Sequence, residues 1–373
     1  MLGELVKAVT AHRDEMVDLT SRLVAVASEN PPGNRYPECV ELLRCELARL
    51  RFDDIRSEGD CVLGFVGRGD RTLYFHGHYD VVPAQSEAQF HPYVKGPNLF
   101  GRGSSDMKSG LAAMVYAAAA ARDSGPKLDG RIGVVLVPDE ETAGPRGSRY
   151  LAERGLLGQA GVGMLTPEPT GGTVWNANRG AFSIRVTVRG KSAHVGRQHE
   201  GVNAFEHAVP LLQELMTLKR EVESRRSILM MGGRVEGGTN FNAVPDHFSF
   251  TIDRRMNPDE NHAQEKKGLM SLLSGFEVEV LQEGRSYSAP EGGPVGTALA
   301  RSIQEVTGEP AKFEMCPGLL ETRFYAERGI PAFAYGPGLL DVSHGPNEFV
   351  PLDRIVDCAG VYALTAARVL APA

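Results

Sequence analysis

At 373 residues, the chain is too long for one ordinary hydrophobic core and predicts two domains. Hydrophobic residues at 42% and charged residues at 23% give the balance of a globular protein in water, and a net charge of -7 without Lys/Arg clusters excludes nucleic acid or an anionic membrane as the main partner. Five scattered cysteines (Cys39, Cys45, Cys61, Cys316, Cys358), odd in number and without CxxC spacing, argue for reduced thiols and against a disulfide framework or a structural zinc site.

The N-terminus, "MLGELVKAVTAHRDEM", is charged throughout and reads as an amphipathic helix without a signal-peptide core. No run of about 18 apolar residues follows, so a cytoplasmic protein is expected. Residues 1 to 58 read as helices, "LVKAVTAHRDEMVDLTSRLVAV" and "YPECVELLRCELARLRF", separated by the loop "SENPPGNR". Short apolar runs then alternate with helical ones: "TLYFHG", "SGLAAMVYAAAAARDSG", "RIGVVLVPDEE", "GSRYLAERGLL" and "GVGMLTPEPT". Buried runs followed by helices predict a three-layer α/β domain with a mostly parallel sheet.

The texture changes after Trp175. "GAFSIRVTVRG" alternates, "NAFEHAVPLLQELMTLKREVES" is helical, "SILMMGGRVEGG" and "DHFSFTIDRRM" are strands, "ENHAQEKKGLMSLLSG" is helical and "FEVEVLQEG" is a strand. That order is β-α-β-β-α-β, a two-layer α+β unit. From "SYSAPEGGPVG" the α/β texture returns, with a helix near 296 to 307, the strand "IPAFAYG" and a last helix from about 353 to 370. The expected organisation is a first catalytic segment, 1–177, an inserted domain, 178–288, and a second catalytic segment, 289–373.

Polar clusters sit at the carboxyl ends of these strands, where open α/β sheets bind ligands. In "TLYFHGHYDVVP", His76, His78 and Asp80 alternate and share one face of the extended segment. Asp106 lies in "FGRGSSDMKSG" just before a helix, Asp139, Glu140 and Glu141 end "VVLVPDEE", Glu168 ends "GMLTPEP", and His344 follows in "DVSHGPNEF". Imidazoles and carboxylates from separate loops suit a pair of divalent ions, with zinc, cobalt or manganese favoured. Three adjacent acids repel unless a cation is present. His76 reads as a structural histidine behind the site. "FGRGSS" lacks the third glycine of a dinucleotide loop, and no ribose-binding acid follows it.

Taken in order, "HGHYDVVP", "GRGSSDMKSG", "PDEETAGPRGS", "PEPT" and "SHGPNEFV" resemble the zinc-dependent aminoacylase, acetylornithine deacetylase, succinyl-diaminopimelate desuccinylase and glutamate carboxypeptidase family of metallohydrolases. The resemblance spans nearly the whole chain, and "GKSAHVGRQHEGVNA" is similar to the family's lid or dimerisation domain. It implies two divalent ions, zinc first, with His78 and Glu168 on one ion, Glu141 and His344 on the other and Asp106 bridging. Asp80 then orients His78, and Glu140 is the general base. His194 resembles the lid histidine directed at the scissile carbonyl, often from a partner subunit, so a homodimer through the inserted domain is implied. Asn242 and Arg255 resemble substrate-binding lid residues. Two departures stand out: Ala143 precedes Gly144, and Glu321-Thr322 in "CPGLLETRF" replaces the family's acid near a Gly-Thr pair. The expected activity is removal of an acyl group from an N-acyl amino acid. The alternative is a metal-dependent exopeptidase or dipeptidase. A non-catalytic binding protein would not need the complete set of ligands and base.

Overall fold

The computed structural model describes residues 2–372, and the chain divides into two compact units. Among the described residues, the first comprises residues 2–176, 289–315 and 321–372, and the second residues 177–288 with 316–320.

The first unit is built on a sheet whose strands run in the order Asp54–Glu58, Cys61–Arg68, Gly130–Val137, Thr72–His78, Gly161–Thr166, Ala332–Ala334. The last four pair in parallel, as alternating strand and helix in the sequence require. The first two form an antiparallel hairpin that also joins Gly130–Val137 antiparallel. Every residue of Thr72–His78 is buried. Its odd positions face one helical layer: Phe75 packs edge-on against Tyr362 of the helix Leu352–Val369, and Gly77 lies against Leu111 and Met114 of the helix Ser109–Ser124. Its even positions face the other: Tyr74 and His76 pack on Tyr325 of the short helix Thr322–Ala326. The sheet is therefore the middle of three layers. The alanine-rich helix is buried without interruption from Ser109 to Ala121, because small side chains let it seat against both the sheet and the last helix.

Two local differences from the sequence reading have simple causes. The first predicted helix is two, Leu2–Ala11 and Arg13–Val24, which break at His12, whose ring is drawn onto Glu15. The predicted helical stretch to residue 58 ends at Arg49, and Asp54–Glu58 is a strand. Gly59, at φ +60, turns it back onto Cys61–Arg68, a two-residue hairpin that charged residues on the exposed edge conceal from hydrophobic patterning.

The second unit is a four-stranded antiparallel sheet in the order Ile228–Gly237, His247–Met256, Gly180–Arg189, Glu277–Gly284. The helices Ala204–Ser224 and His262–Leu272 cover one face, closing a core that includes Phe182, Ile184, Val186, Leu215, Phe250 and Ile252. Asn203 and Asn261 cap the two helices, each through a side-chain oxygen that accepts a backbone N–H of the first turn. On the outer strand Ile228–Gly237, Met230 and Val235 stand half exposed.

Candidate metal centre

The parallel strands deliver their carboxyl ends to one edge of the first unit's sheet, and the polar clusters lie there. His78 is the last residue of its strand, on the same face as His76. Its Nδ1 is 3.0 Å from the Asp80 carbonyl oxygen and 3.3 Å from the Asp80 carboxylate. That arrangement directs Nε2 outward as the free donor. The Asp80 carboxylate is fully buried and accepts from Asn30 Nδ2 at 2.9 Å and from the backbone N–H groups of Glu140 and Glu141 at 3.3 and 3.2 Å. One carboxylate thus sets both a histidine and the loop carrying two further acids.

Asp106 is positioned by a residue far away in sequence. Glu348 accepts the N–H groups of Ser105 and Asp106, each at 3.0 Å, and its second oxygen accepts Arg102 Nη1 at 2.6 Å. Arg102 Nη2 in turn donates to the His344 carbonyl at 3.1 Å. Both members of this ion pair are 1% exposed. The carbonyl of His344, a non-glycine residue at φ +65, also accepts from Gln85 at 3.0 Å, so its unusual backbone is held from two sides.

Two groups of donors result, and Asp106 belongs to both: His78, Asp106 and Glu168, and Asp106, Glu141 and His344, with the donor atoms of each group within 4.8 Å of one another. Asp106 lies 3.3 Å from His78 Nε2 and 3.4 Å from His344 Nε2, and Glu141 lies 3.3 Å from His344. Among the described residues, one buried oxygen each of Asp106, Glu141 and Glu168 has no hydrogen-bond partner. Unsatisfied buried carboxylate oxygens that converge in this way are costly unless a cation meets them, and a mixed imidazole–carboxylate set fits divalent metal ions. Glu140 belongs to neither group; its carboxylate comes within 3.9 Å of His78 Nε2.

The electrostatics express the same crowding. Burial raises Glu168 to about 8, with Asp106, Glu141 and Glu321 adding to the rise against the pull of His78. Burial also lifts Glu140 well above the carboxylate range, where Glu168, Glu141 and Glu321 repel it further. Hydrogen bonds to Asp106 and Glu141 raise His344 to about 10. Burial works to raise Asp106, yet the two histidines outweigh it and hold that carboxyl low. Asp139 is kept apart from this competition. At φ +65 its carboxylate turns to Tyr36 Oη at 2.8 Å and the Arg146 N–H at 3.0 Å, which divides the acidic run into one anchoring residue and two that face the donors.

His76 is fully buried, with its ring nitrogens near Tyr325 Oη at 3.0 Å, Ser148 Oγ at 2.9 Å and Glu321 at 3.3 Å. Glu321, the residue at the departure from the family pattern, therefore stands behind the centre beside this histidine. Sequence reasoning missed Asn30, Tyr36, Arg102 and Glu348 as supports. Only Arg102 and Glu348 carried a signal, since they fall inside "GRGSSDMKSG" and "SHGPNEFV".

The remaining expected residues lie in the second unit. His194 pairs with Ala243 as an isolated bridge, Val195 N–H donates to the Asn242 carbonyl at 3.0 Å, and His194 Nδ1 accepts the Gly196 N–H at 3.1 Å. The two loops carrying His194 and Asn242 are thus tied together. Arg255 is not part of that group: it pairs in register with Ala181 at the end of its strand, and its Nε donates to Asp253 at 3.1 Å.

Comparison with known proteins agrees with this architecture. The chain is 30% identical over 356 residues to the succinyl-diaminopimelate desuccinylase of Aromatoleum aromaticum, covering 90% of this chain and 92% of that one. It is 29% identical over 370 residues to the enzyme of the same name from Methylobacillus flagellatus, covering 94% and 97%. The crystal structure of aminopeptidase PepT from Bacillus cereus superposes with a TM-score of 0.77 at 20% identity, covering 96% of this chain and 98% of that chain, which shows a shared fold. With a family model matched from residue 74 to residue 368, the chain belongs to the peptidase family M20/M25/M40.

Proposed function

We propose that the protein is a metal-dependent amidohydrolase that removes an acyl group, of the succinyl or acetyl class, from an N-acyl amino acid. The observation that carries this reading is the pair of donor groups sharing Asp106, with Glu140 beside them and in neither. His78, Asp106 and Glu168 would hold one divalent ion and Asp106, Glu141 and His344 the other, zinc being favoured by the imidazole–carboxylate set. When bound, such ions polarise a carbonyl and acidify a water. Glu140 takes the proton from the attacking water and returns it to the leaving amine, a task suited to a carboxyl whose burial has raised its proton affinity. Asp80 keeps His78 in the tautomer that leaves Nε2 free. His194 donates to the oxyanion that develops at the carbonyl, worth about 3 to 4 kcal/mol, and Asn242 and Arg255 bind the substrate's polar end.

We further propose a homodimer formed through the second unit. The outer strand Ile228–Gly237 supports this, because an edge that no other strand pairs among the described residues, with exposed Met230 and Val235, is a ready surface for a second copy. Five free cysteines fit a cytoplasmic, reducing setting. Among the described residues, no helix is long and apolar enough to cross a membrane.

The test is hydrolysis of a panel of N-succinyl amino acids, N-acetyl amino acids and dipeptides by chelator-treated protein with and without added zinc, cobalt or manganese. Metal-restored cleavage of an N-acyl amino acid supports the proposal. Cleavage confined to dipeptides would transfer the reading to an exopeptidase, and full activity in metal-free protein would overturn the two-ion centre.

A further inference from the structure

A cavity of about 450 Å³ opens in the first unit between the loop that follows the strand Gly161–Thr166, the segment after the helix Pro294–Thr307 and the first turns of the helix Leu352–Val369. It shares no lining residue with the donor groups. Arg354 and Asp357 both line it, one helical turn apart. That spacing ordinarily produces an ion pair. Here neither side chain forms an ion pair or a hydrogen bond among the described residues, and Arg354 Nη1 is buried without a partner. A buried guanidinium nitrogen left unmatched is costly, which marks it as a position a ligand completes. Lys312 and Glu309 stand at the rim, and Tyr335, itself buried, contributes to the floor. Gly172, at φ +93, lies beside Arg354, where a Cβ would stand in ordinary contact, 3.6 Å from Nη2.

The charges decide the ligand. A simple anion would meet Arg354 and Lys312 but also face Asp357 and Glu309, and a simple cation would meet the reverse conflict. A molecule carrying both charges on neighbouring atoms satisfies both signs at once. We propose that this cavity binds a free α-amino acid, its carboxylate on the planar fork of Arg354 with Lys312 and its ammonium on Asp357. Burial raises the Asp357 carboxyl above its ordinary range, with Asp353 adding to the rise and Arg354 opposing it, and an ammonium placed on Asp357 would favour its charged form. The floor also reaches the metal centre: Gly336 donates to Thr170 Oγ1 at 3.1 Å, and a Cβ on Gly336 would lie 2.3 Å from the Glu168 carbonyl oxygen. An occupant therefore rests against the backbone that presents Glu168.

The test measures binding without turnover, so its outcome is independent of the deacylase reading. Glycine, L-alanine, L-aspartate and L-lysine are titrated into the metal-loaded protein by calorimetry and saturation-transfer NMR, with acetate and methylamine as half-molecules. The expected result is binding of at least one amino acid, at least tenfold weaker binding of both half-molecules, and a loss of tenfold or more in Arg354→Ala and in Asp357→Asn. Should Arg354→Ala fail to fold, the near-isosteric Asp357→Asn decides alone. Three results would overturn the proposal: no amino acid binds, acetate binds as well as the amino acid, or binding persists unchanged in the variants and so belongs elsewhere.

Discussion

Removing the Glu348 carboxylate isolates what the Arg102–Glu348 pair does. Burial raises the proton affinity of Glu348 even with Arg102 beside it, with Asp106 adding to the rise, and in general the attraction within a buried ion pair repays its desolvation only in part. The pair is thus a poor source of stability but a severe liability when broken. In Glu348→Ala, Arg102 remains 1% exposed with only neutral acceptors, Gln85 and the His344 carbonyl, and the N–H groups of Ser105 and Asp106 lose theirs. Stranding a buried charge costs about 3 to 5 kcal/mol, and each orphaned N–H adds about 1 to 3 kcal/mol unless water enters. A loss of at least about 3 kcal/mol is expected from urea unfolding of the metal-free protein, a large part of a typical total of about 5 to 15 kcal/mol. The double variant Arg102→Met/Glu348→Leu should recover most of that stability, since an apolar pair can replace a buried ion pair. It should not recover zinc affinity, expected to fall about 10- to 100-fold because the backbones of Asp106 and His344 lose their clamps. Isothermal titration with zinc separates the two effects. The reasoning is refuted if Glu348→Ala unfolds within about 1 kcal/mol of the parent, or if the double variant binds zinc with parental affinity.

Other tests bear on the donors themselves. Glu140→Gln should keep both metal equivalents while losing about 10²- to 10⁴-fold in kcat; loss of a full equivalent by elemental analysis would make Glu140 a ligand. In metal-free protein, Glu168 and His344 bind protons more tightly folded, at about 8 and about 10, than at their ordinary 4.5 and 6.5. The unfolded chain therefore releases those protons first, and stability present at low pH is lost as pH rises from about 4.5 towards about 10. Zinc requires deprotonated donors, so Tm against pH should fall in chelator and flatten or rise with zinc; parallel curves would contradict this. Finally, inactive His194→Ala and Glu140→Ala proteins are mixed under subunit exchange. A histidine acting across a dimer gives each heterodimer one intact site and recovers activity, whereas no recovery despite verified exchange retires the cross-subunit role.

The sequence exposed the parts of the site that are locally concentrated. His78 ends a strand, Glu168 follows one and Asp106 precedes a helix within a few residues, so periodicity leads to them directly, while His344 lies in a loop and is marked only by its place in "DVSHGPNEF". The supports escaped for a physical reason: Asn30, Arg102 and Glu348 meet their partners only through tertiary packing, across separations that no local pattern records. The division of labour in the Asp139–Glu141 run was equally hidden, because it depends on the backbone of Asp139 turning to φ +65. Among elements, fully buried runs such as "TLYFHGH" announced themselves, while the hairpin through Gly59 did not. Its first strand alternates charge with partial burial and so lacks an apolar face.

The route of the chain through the first unit also orders events during synthesis. Four of the donors, His78, Asp106, Glu141 and Glu168, lie before residue 177, but His344 lies after the excursion through residues 177–288. The strand Ala332–Ala334, which flanks Gly161–Thr166, and the last helix, which backs the alanine-rich one, return with it. A nascent chain released up to residue 288 would carry the second unit except for residues 316–320, together with an open sheet edge and an acidic half-site without its final imidazole. Lengthening the excursion costs little in closure entropy, about 0.6 kcal/mol per doubling, so its length is only weakly constrained. The C-terminal quarter is not. Its loss would remove core and ligand together, leaving proteolysis of a truncated chain and failure to retain metal as one and the same phenotype.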